Sequence, residues 1–225
     1  MSATWAIVVA GGEGSRLGAD WPKAFVRLGG RPLLAYSIDL LEDHPGVDRV
    51  VLVVPAEWEE PATLLADQLA AGKIVAAVPG GATRALSVKA GLDEVADDAG
   101  TIVVHDAARP FASAELLDRL LAGLADHDGA VPGVPVTDTV KRVRDGRVVE
   151  TPARAELRSV QTPQAFRAEA LRRAFAAPEA QWRDATDCAS LVEAAGLAVA
   201  AVAGEPENVK ITTAADLALA EARLQ

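Results

Sequence analysis

The sequence predicts one α/β domain covering residues 1–225, with a Rossmann-like, doubly wound and mostly parallel sheet. Three observations support this fold class. The chain has 225 residues, which is the size of one domain. Short β-branched runs alternate with longer helical patterns. The short runs are apolar throughout, as in strands that are buried on both faces of a sheet.

Strands and helices alternate regularly over the first 136 residues. The apolar runs predict strands at 5–10, 49–54, 74–78, 101–104 and 130–136. Helical spacing of apolar residues predicts helices at 32–41, 58–71, 84–95 and 113–124. Pro32 suits a first helical turn, and Ser113 can cap its helix. Repeated strand, helix, strand units place a ligand site at the carboxyl ends of the strands.

A hairpin is predicted where this alternation ends, after Pro135. The β-prone segments 139–143 and 147–151 flank Arg144, Asp145 and Gly146, and Asp-Gly between such segments is typical of a hairpin. Both legs are polar and basic, so we expect a β-arm at about 137–155 that projects from the sheet. A solvated surface hairpin and an arm that meets another subunit both fit this pattern. Strands at 157–160 and 197–202 and helices at 167–176, 187–195 and 214–224 complete the prediction.

Charge and composition exclude several functional classes. The chain carries 22 Lys and Arg against 32 Asp and Glu, which argues against non-specific nucleic-acid binding. The one cysteine, Cys188, excludes an internal disulfide and a multi-cysteine metal site, and it suits a reducing compartment. No apolar run is long enough for a membrane span, and the first residues lack the basic region of a signal peptide. We expect a cytoplasmic protein without nucleic-acid or membrane partners.

A glycine loop follows the first predicted strand directly. Residues 10–18 include four glycines, which allow backbone N–H groups to approach phosphate oxygens closely. Leu17 stands where a dinucleotide fingerprint needs glycine, and no Gly-Lys-Ser/Thr triplet of a Walker A loop occurs. Arg16 and Lys23 can clamp a polyphosphate and neutralise the charge that grows during phosphoryl or nucleotidyl transfer. A tight turn with two solvated cations is the alternative.

The loop has the form A-G-G-x-G-x-R followed by Pro22 and Lys23, and in this it resembles sugar-phosphate and polyol-phosphate nucleotidyltransferases. Five further segments make the chain similar to the 2-C-methyl-D-erythritol 4-phosphate cytidylyltransferases of the non-mevalonate isoprenoid pathway. These segments are Gly-Gly at 80–81 with Arg84, Ser87 and Val88; His-Asp-Ala-Ala-Arg-Pro at 105–110; Asp-Thr-Val-Lys at 138–141; Gln-Thr-Pro-Gln at 161–164; and Glu-Asn-Val-Lys-Ile-Thr at 207–212.

The resemblance implies a fold, a reaction and a cofactor. The family has a Rossmann-like domain with a β-arm and forms a homodimer in which each arm crosses to the neighbouring active site. The 4-phosphate of methylerythritol phosphate attacks the α-phosphorus of CTP. This gives 4-(cytidine 5'-diphospho)-2-C-methyl-D-erythritol and pyrophosphate, with Mg²⁺ or another divalent cation on the triphosphate. CTP and a polyol phosphate are therefore the expected ligands.

The resemblance also implies roles for individual residues. Arg16 and Lys23 match the cations that stabilise the transition state, while Arg154 and Lys210 match those that position the methylerythritol phosphate. Arg154 can serve its own or the partner's site. The CTP contacts are expected at Ala10, Gly11, Gly12, Gly14, Gly80, Gly81 and Ser87. The second substrate is expected at Asp106, Arg109, Thr139, Thr162 and Thr186, and Asp106 can also help to hold the metal through water.

Several of these assignments have plainer alternatives. Arg154 fits equally an arginine on a polar surface, and Asp106 with Arg109 fits an ion pair that closes a turn. His105 is interpreted as a packed residue at a strand end, because an ionised phosphate nucleophile needs no general base. Ala82 stands where some family members carry an acidic residue, which affects only a side-chain contact.

Two alternative functions remain at this point. The first is ribitol 5-phosphate cytidylyltransferase, but that relative typically has Ser-Val between its Asp and Arg, where this chain has Ala107 and Ala108. The second is a nucleotide sensor that keeps the fold without catalysis. A sensor has no need of the full set of cations, so the enzyme is favoured.

Overall fold

The computed structural model of the chain describes residues 2–12 and 21–224. The predicted site residues Gly14 and Arg16 lie outside the described residues. The strands are β1 (Thr4–Val9), β2 (Arg27–Leu28), β3 (Arg31–Pro32), β4 (Arg49–Val54), β5 (Ile74–Pro79), β6 (Thr101–Asp106), β7 (Gly129–Pro135), β8 (Arg142–Arg144), β9 (Arg147–Glu150), β10 (Arg158–Val160), β11 (Gln164–Arg167) and β12 (Val199–Ala203). The helices are α1 (Leu33–Asp43), α2 (Glu59–Gln68), α3 (Arg84–Asp93), α4 (Ala114–Gly123), α5 (Ala168–Phe175), α6 (Glu179–Trp182), α7 (Ala189–Ala194) and α8 (Ala214–Arg223).

One eight-stranded sheet forms the centre of the molecule, in the order β10-β7-β11-β6-β1-β4-β5, with β12 on β7. The pairs β1 with β4, β1 with β6, β4 with β5 and β7 with β12 are parallel. The strands β10 and β11 run antiparallel to β7. The predicted mostly parallel α/β sheet is confirmed.

Helices cover both faces of this sheet, which explains why the central positions of β1 and β4 are apolar without alternation. On one face, Ile7 and Val51 pack with Val88 of α3 and Leu171 of α5. On the other, Val8 packs in a cluster built from α1, α2 and α4. Alternate side chains of β1 therefore enter two different cores, as the period of a strand requires.

Side-chain caps fix where several helices begin. Ser113 Oγ accepts from the N–H of Leu116 at 3.0 Å, as predicted, and Thr83 Oγ1 accepts from the N–H of Leu86 at 3.2 Å. Pro32 differs from the prediction: it precedes α1 instead of lying in the first turn, because it pairs with Arg27 in the small β2–β3 ribbon.

The predicted arm is present as the ribbon β8–β9. Asp145 and Gly146 connect the two strands with φ values of 49° and 74°, the positive angles of a type I′ hairpin turn. Every residue from 137 to 151 is exposed. The chain then returns to the sheet at β10, where Arg158 pairs with Pro135. The arm therefore projects from the sheet, as predicted.

Four elements were not predicted from the sequence, and two of them, β2 and β3, form the small ribbon before α1. The strand β11 lies between β6 and β7, where Phe166 is fully buried, and the short helix α6 buries Trp182. Within the described part of the chain, no helix is long and apolar enough to cross a membrane.

Candidate active site at the carboxyl edge of the sheet

A cavity of about 550 Å³ lies at the carboxyl ends of β1, β5 and β6. The loops after β1 and β5 form its walls, and backbone hydrogen bonds fix both loops to β4. The N–H of Ala10 donates to the carbonyl of Val53, and the N–H of Gly80 to that of Val54, each at 2.7 Å. The cavity is lined by Val9, Ala10, Gly11, Gly12, Lys23, Ala24, Gly81, Ala82, Thr83, Arg84, Ser87, Asp106, Ala107, Ala108, Lys210 and Thr212. The structure thus brings residues of four predicted segments into one site.

The loop after β5 has no room for side chains at its glycines. A Cβ on Gly80 would lie 2.8 Å from Ser87 Oγ. A Cβ on Gly81 would overlap the Cβ of Leu86 and lie 3.2 Å from the carbonyl carbon of Leu86. The first turn of α3 therefore packs directly against this backbone, which explains the need for two successive glycines.

Ser87 holds this turn in shape. Its buried hydroxyl accepts from the N–H of Gly81 at 3.2 Å and donates to the carbonyl of Thr83 at 3.1 Å. The sequence predicted Ser87 as a nucleotide contact. In the structure its hydroxyl is engaged by the loop, so its defined role here is to orient the backbone of Gly81 towards the cavity.

Three charged groups meet at the end of β6. Asp106 Oδ1 accepts from Arg84 Nε at 2.9 Å, and Oδ2 accepts from Lys210 Nζ at 2.7 Å. Burial alone would raise the pKa of Asp106, but Arg84 and Lys210 outweigh it and hold that pKa well below its usual range. Burial likewise opposes the charge of Arg84, and Asp106 outweighs it and raises the pKa of the guanidinium. Asp106 and Arg84 are therefore both charged at neutral pH.

Arg109 has different partners from those that the sequence suggested. The alternative interpretation paired its guanidinium with Asp106, and this is wrong. The guanidinium donates instead to the carbonyl of Asn208 at 2.7 Å, and only the backbone N–H of Arg109 contacts Asp106, at its carbonyl. The carboxylate of Asp106 is taken by Arg84, a residue that the sequence placed in a motif but not among the site residues.

A second cavity of about 260 Å³ adjoins the first. The two share Arg84, Asp106 and Lys210 as a common wall. The remaining lining residues of the second cavity are Arg109, Val160, Gln161, Thr162, Gln164, Thr186 and Asp187. The predicted substrate residues Asp106, Arg109, Thr162 and Thr186 thus lie together.

His105 and Thr162 form the buried floor beneath these cavities. Thr162 Oγ1 accepts from the N–H of Asp106 at 2.9 Å and lies 3.2 Å from His105 Nδ1. Burial lowers the pKa of His105 to about 4, so the ring is neutral at pH 7. The interpretation of His105 as a packed residue agrees with this environment.

Hydrogen bonds to Gln161, Thr162 and Ala108 hold the segment 205–211 against the sheet. Gln161 donates to the carbonyl of Glu205 at 2.7 Å and accepts from its N–H at 3.0 Å. Asn208 Nδ2 donates to the carbonyl of Thr162 at 2.9 Å, and the N–H of Ile211 donates to the carbonyl of Ala108 at 2.8 Å. These bonds fix the backbone on both sides of Lys210 and place its ammonium between the cavities.

Three predicted site residues that the structure describes line neither cavity, and one of them, Gly80, lies in the turn before α3 next to the lining residue Gly81. Thr139 and Arg154 are exposed at the two roots of the arm, and neither lines either cavity of this chain. Arg154 Nη1 donates to the carbonyl of Thr137 at 2.5 Å.

The described residues do not form a metal cage. Among them no group of three or more His, Cys, Asp and Glu side chains is placed to hold a metal ion. Both carboxylate oxygens of Asp106 accept from cations, which leaves the group poorly disposed to bind a metal directly. The role of Asp106 in holding a metal through water stays a prediction.

Comparison with known proteins identifies the family. The family model of 2-C-methyl-D-erythritol 4-phosphate cytidylyltransferase (IspD) matches residues 4–225. The chain belongs to this family. It is 48% identical over 223 residues to the family member from Rhodococcus jostii, covering 98% of this chain and 94% of the relative. It is 48% identical to the member from Nocardia farcinica over 221 residues, covering 97% and 93%.

Solved structures give the same result for the fold. The 4-diphosphocytidyl-2C-methyl-D-erythritol synthase of Anaerococcus prevotii superposes with a TM-score of 0.88 at 30% identity, covering 100% of this chain and 99% of that one. The 2-C-methyl-D-erythritol 4-phosphate cytidylyltransferase of Thermus thermophilus gives 0.79 at 33% identity, with the same coverage. The predicted family and fold class are confirmed, and the enzyme is a nucleotidyltransferase.

Proposed function

We propose that this enzyme transfers the cytidylyl group of CTP to 2-C-methyl-D-erythritol 4-phosphate and releases pyrophosphate. One observation carries the proposal: a large glycine-lined cavity and a small polar cavity meet at a wall formed by Arg84, Asp106 and Lys210. A transfer between two phosphorylated molecules needs two adjoining sites and positive charge where their phosphates meet.

The larger cavity is assigned to CTP. Its volume of about 550 Å³ lies within the range of small-molecule sites. The backbone N–H groups of Gly11 and Gly12 are assigned to the triphosphate, with Lys23 in the same wall. The turn at Gly81 presents backbone to the base, where a carbonyl can accept from the amino group of cytosine. Uracil lacks that donor, so a buried carbonyl would stay unpaired and UTP would be a poor substrate.

The smaller cavity is assigned to methylerythritol phosphate. Its polar lining, with Thr162 and Thr186, suits a polyol, and Arg109 and Lys210 suit the phosphate. The phosphate is already ionised, so its oxygen attacks the α-phosphorus of CTP without a general base. The neutral, buried ring of His105 agrees with this mechanism.

The cations have the task of stabilising the transition state. The in-line displacement spreads negative charge over the α-phosphate oxygens and the departing pyrophosphate. Lys23 lines the larger cavity, and Arg16 is assigned the same task from its place in the family motif. Preorganised cations of this kind commonly contribute factors of about 10² to 10³ in rate.

Mg²⁺ is proposed as the cofactor, held by the triphosphate. Mg²⁺ keeps several waters and prefers substrate phosphates to an all-protein cage, which is consistent with the engaged oxygens of Asp106. When bound, the ion supplies positive charge that reduces repulsion between the two substrates.

A homodimer formed through the β-arm is part of the same proposal. The arm exposes the apolar side chains of Val143, Val148 and Val149. It also carries five basic against three acidic residues over 137–155, while the rest of the chain carries 17 against 29. A second copy therefore offers an oppositely charged surface. In such a dimer Arg154 would serve the partner's site. We also propose a cytoplasmic location, supported by the acidic charge and the one cysteine.

A substrate comparison tests the reaction. Purified enzyme with CTP and Mg²⁺ is incubated separately with methylerythritol 4-phosphate and with ribitol 5-phosphate, and pyrophosphate release is measured. We expect turnover with the methylerythritol compound, and little turnover when UTP replaces CTP. Turnover with ribitol phosphate alone would reject the substrate, and nucleotide binding without pyrophosphate release would reject catalysis.

The dimer has its own test. We expect the wild-type enzyme to sediment at twice the mass of its 23.3 kDa chain. Val148→Asp places a charge on the exposed face of the arm and should shift the protein towards the monomer while the chain stays folded. A wild-type monomer at micromolar concentration would contradict the proposal.

A further inference from the structure

Arg84 stands at the centre of the site without an assigned role. It is the first residue of α3, and it lies in the wall of both cavities. Its Nε donates to Asp106 Oδ1 at 2.9 Å, and its Nη1 donates to Cys188 Sγ at 3.6 Å. Its Nη2 is buried and has no hydrogen-bond partner among the described residues. The side chain is therefore held firmly at one point, the carboxylate of Asp106.

The two cations around Asp106 differ in exposure. The side chain of Arg84 is 18% exposed and that of Lys210 is 42% exposed. Both side chains line the cavities, but Arg84 is the more buried of the two and Lys210 is the more accessible to a ligand. The three groups carry a net charge of one positive unit, and its accessible part is the ammonium of Lys210.

We propose that Arg84 is a positioning residue that neutralises Asp106 and so leaves Lys210 available to the phosphate of the second substrate. This inference rests on the proposed function and deepens it. When the phosphate enters the smaller cavity, Lys210 exchanges a carboxylate oxygen for a phosphate oxygen. Asp106 then keeps its buried bond to Arg84.

The physical reason is the cost of an uncompensated carboxylate. Without Arg84, Asp106 and Lys210 would form a pair of zero net charge, and the junction would offer no attraction to an incoming anion. If Lys210 left that pair, a buried carboxylate would face two phosphates, which is strongly unfavourable. Arg84 removes both problems, because its guanidinium is charged at every accessible pH and has a fixed geometry.

A purely structural role for Arg84 makes a different prediction. If the residue only fastened α3 to β6, its bond to Asp106 would still couple the two positions, but its loss would lower thermal stability and kcat and leave KM for the second substrate unchanged. The proposed role acts on KM for that substrate and requires the charge of Asp106. A double-mutant cycle read in KM as well as in kcat/KM, with thermal unfolding measured beside it, separates these explanations.

The experiment measures kcat and KM for methylerythritol phosphate at saturating CTP and Mg²⁺. The proteins are wild type, Arg84→Gln, Asp106→Asn and the double variant. We expect Arg84→Gln to lower kcat/KM by about 30-fold or more, largely through KM, since Lys210 then stays paired with Asp106 and releases it only by leaving a buried carboxylate unpaired. With Asp106→Asn already present, the same change should lower kcat/KM by less than about threefold. Equal losses in the two backgrounds would overturn the proposal.

Two further variants keep the test decisive. Arg84→Lys keeps the charge and should retain kcat/KM within about tenfold of wild type; a loss of about 30-fold or more in this variant would overturn the proposal, also where Arg84→Gln does not fold. Arg31→Gln removes another Arg–Asp pair, with Asp39 at 2.6 Å and far from the site, and should leave the kinetics unchanged. Absence of wild-type turnover would refute the proposed reaction, whereas normal turnover without coupling would refute only the role of Arg84.

Discussion

Replacing Gly81 by alanine should impair CTP use more than it impairs folding. The new Cβ would overlap the Cβ of Leu86 and lie 3.2 Å from the carbonyl carbon of the same residue. Because part of this obstacle is backbone, a rotamer change cannot remove it, and the turn must shift relative to α3. Overpacking of this kind costs about 1 to 3 kcal/mol of stability.

The effect on catalysis follows from the direction of that shift. The turn borders the larger cavity, so a displacement of about 1 Å moves the backbone that is assigned to the base, and misplacement on this scale can cost about 10²-fold. We therefore expect Gly81→Ala to lower kcat/KM for CTP by about 100-fold. Initial rates of pyrophosphate release at varied CTP measure this, and thermal unfolding measures the stability.

A glycine outside the site supplies the control. A Cβ on Gly72 would lie 3.8 Å from Glu42 Oε1, which is ordinary contact, so Gly72→Ala should change neither quantity appreciably. A folded Gly81→Ala enzyme with the KM for CTP of the wild type would refute the assignment of this turn to the nucleotide.

The site supports three other predictions. Ser87→Ala leaves the N–H of Gly81 without its acceptor, so it should lower the free energy of unfolding by about 1 to 3 kcal/mol and raise KM for CTP. Urea unfolding and steady-state kinetics measure the two effects, and unchanged values would contradict the role of Ser87 in holding the turn. Lys210→Ala should lower kcat/KM for methylerythritol phosphate by about 10² to 10³, and rates near wild type would exclude its role. Since burial lowers the pKa of His105 to about 4, the unfolded chain binds the extra proton between about pH 4 and 6.5, so stability should rise with pH across this window. His105→Gln should flatten the rise of unfolding free energy with pH, as measured by urea unfolding at several pH values. An unaltered pH dependence would contradict the lowered pKa of His105.

The sequence predicted most of the sheet because its strands carry a local signal. β1, β4 and β6 each contain a continuous apolar run that is buried on both faces, and such runs are visible without tertiary information. β11 is different, because it has four residues, of which Gln164 and Arg167 are polar. Its strand conformation depends on pairing with β6 and β7, which no local window can show.

Some site residues were predicted from the sequence and Arg84 was missed, for a similar reason. The glycine loops and Lys210 stand in motifs whose residue types already suggest their chemistry. Arg84 does not, since an arginine in the first turn of a helix is usually a surface residue, and its partner Asp106 lies 22 positions away. Burial of that pair between two cavities is a property of the folded chain. The presence of Arg84 in a motif beside the glycine turn was the available signal.

The way in which the arm leaves and rejoins the sheet has a further consequence. The chain departs from β7 at Pro135 and returns with Arg158 directly opposite that residue, so the excursion over 136–157 starts and finishes at one point. Residues can be added to or deleted from the ribbon without altering the register of any central strand. Evolution can therefore vary the length of this appendage while the strand order and register beneath it stay constant.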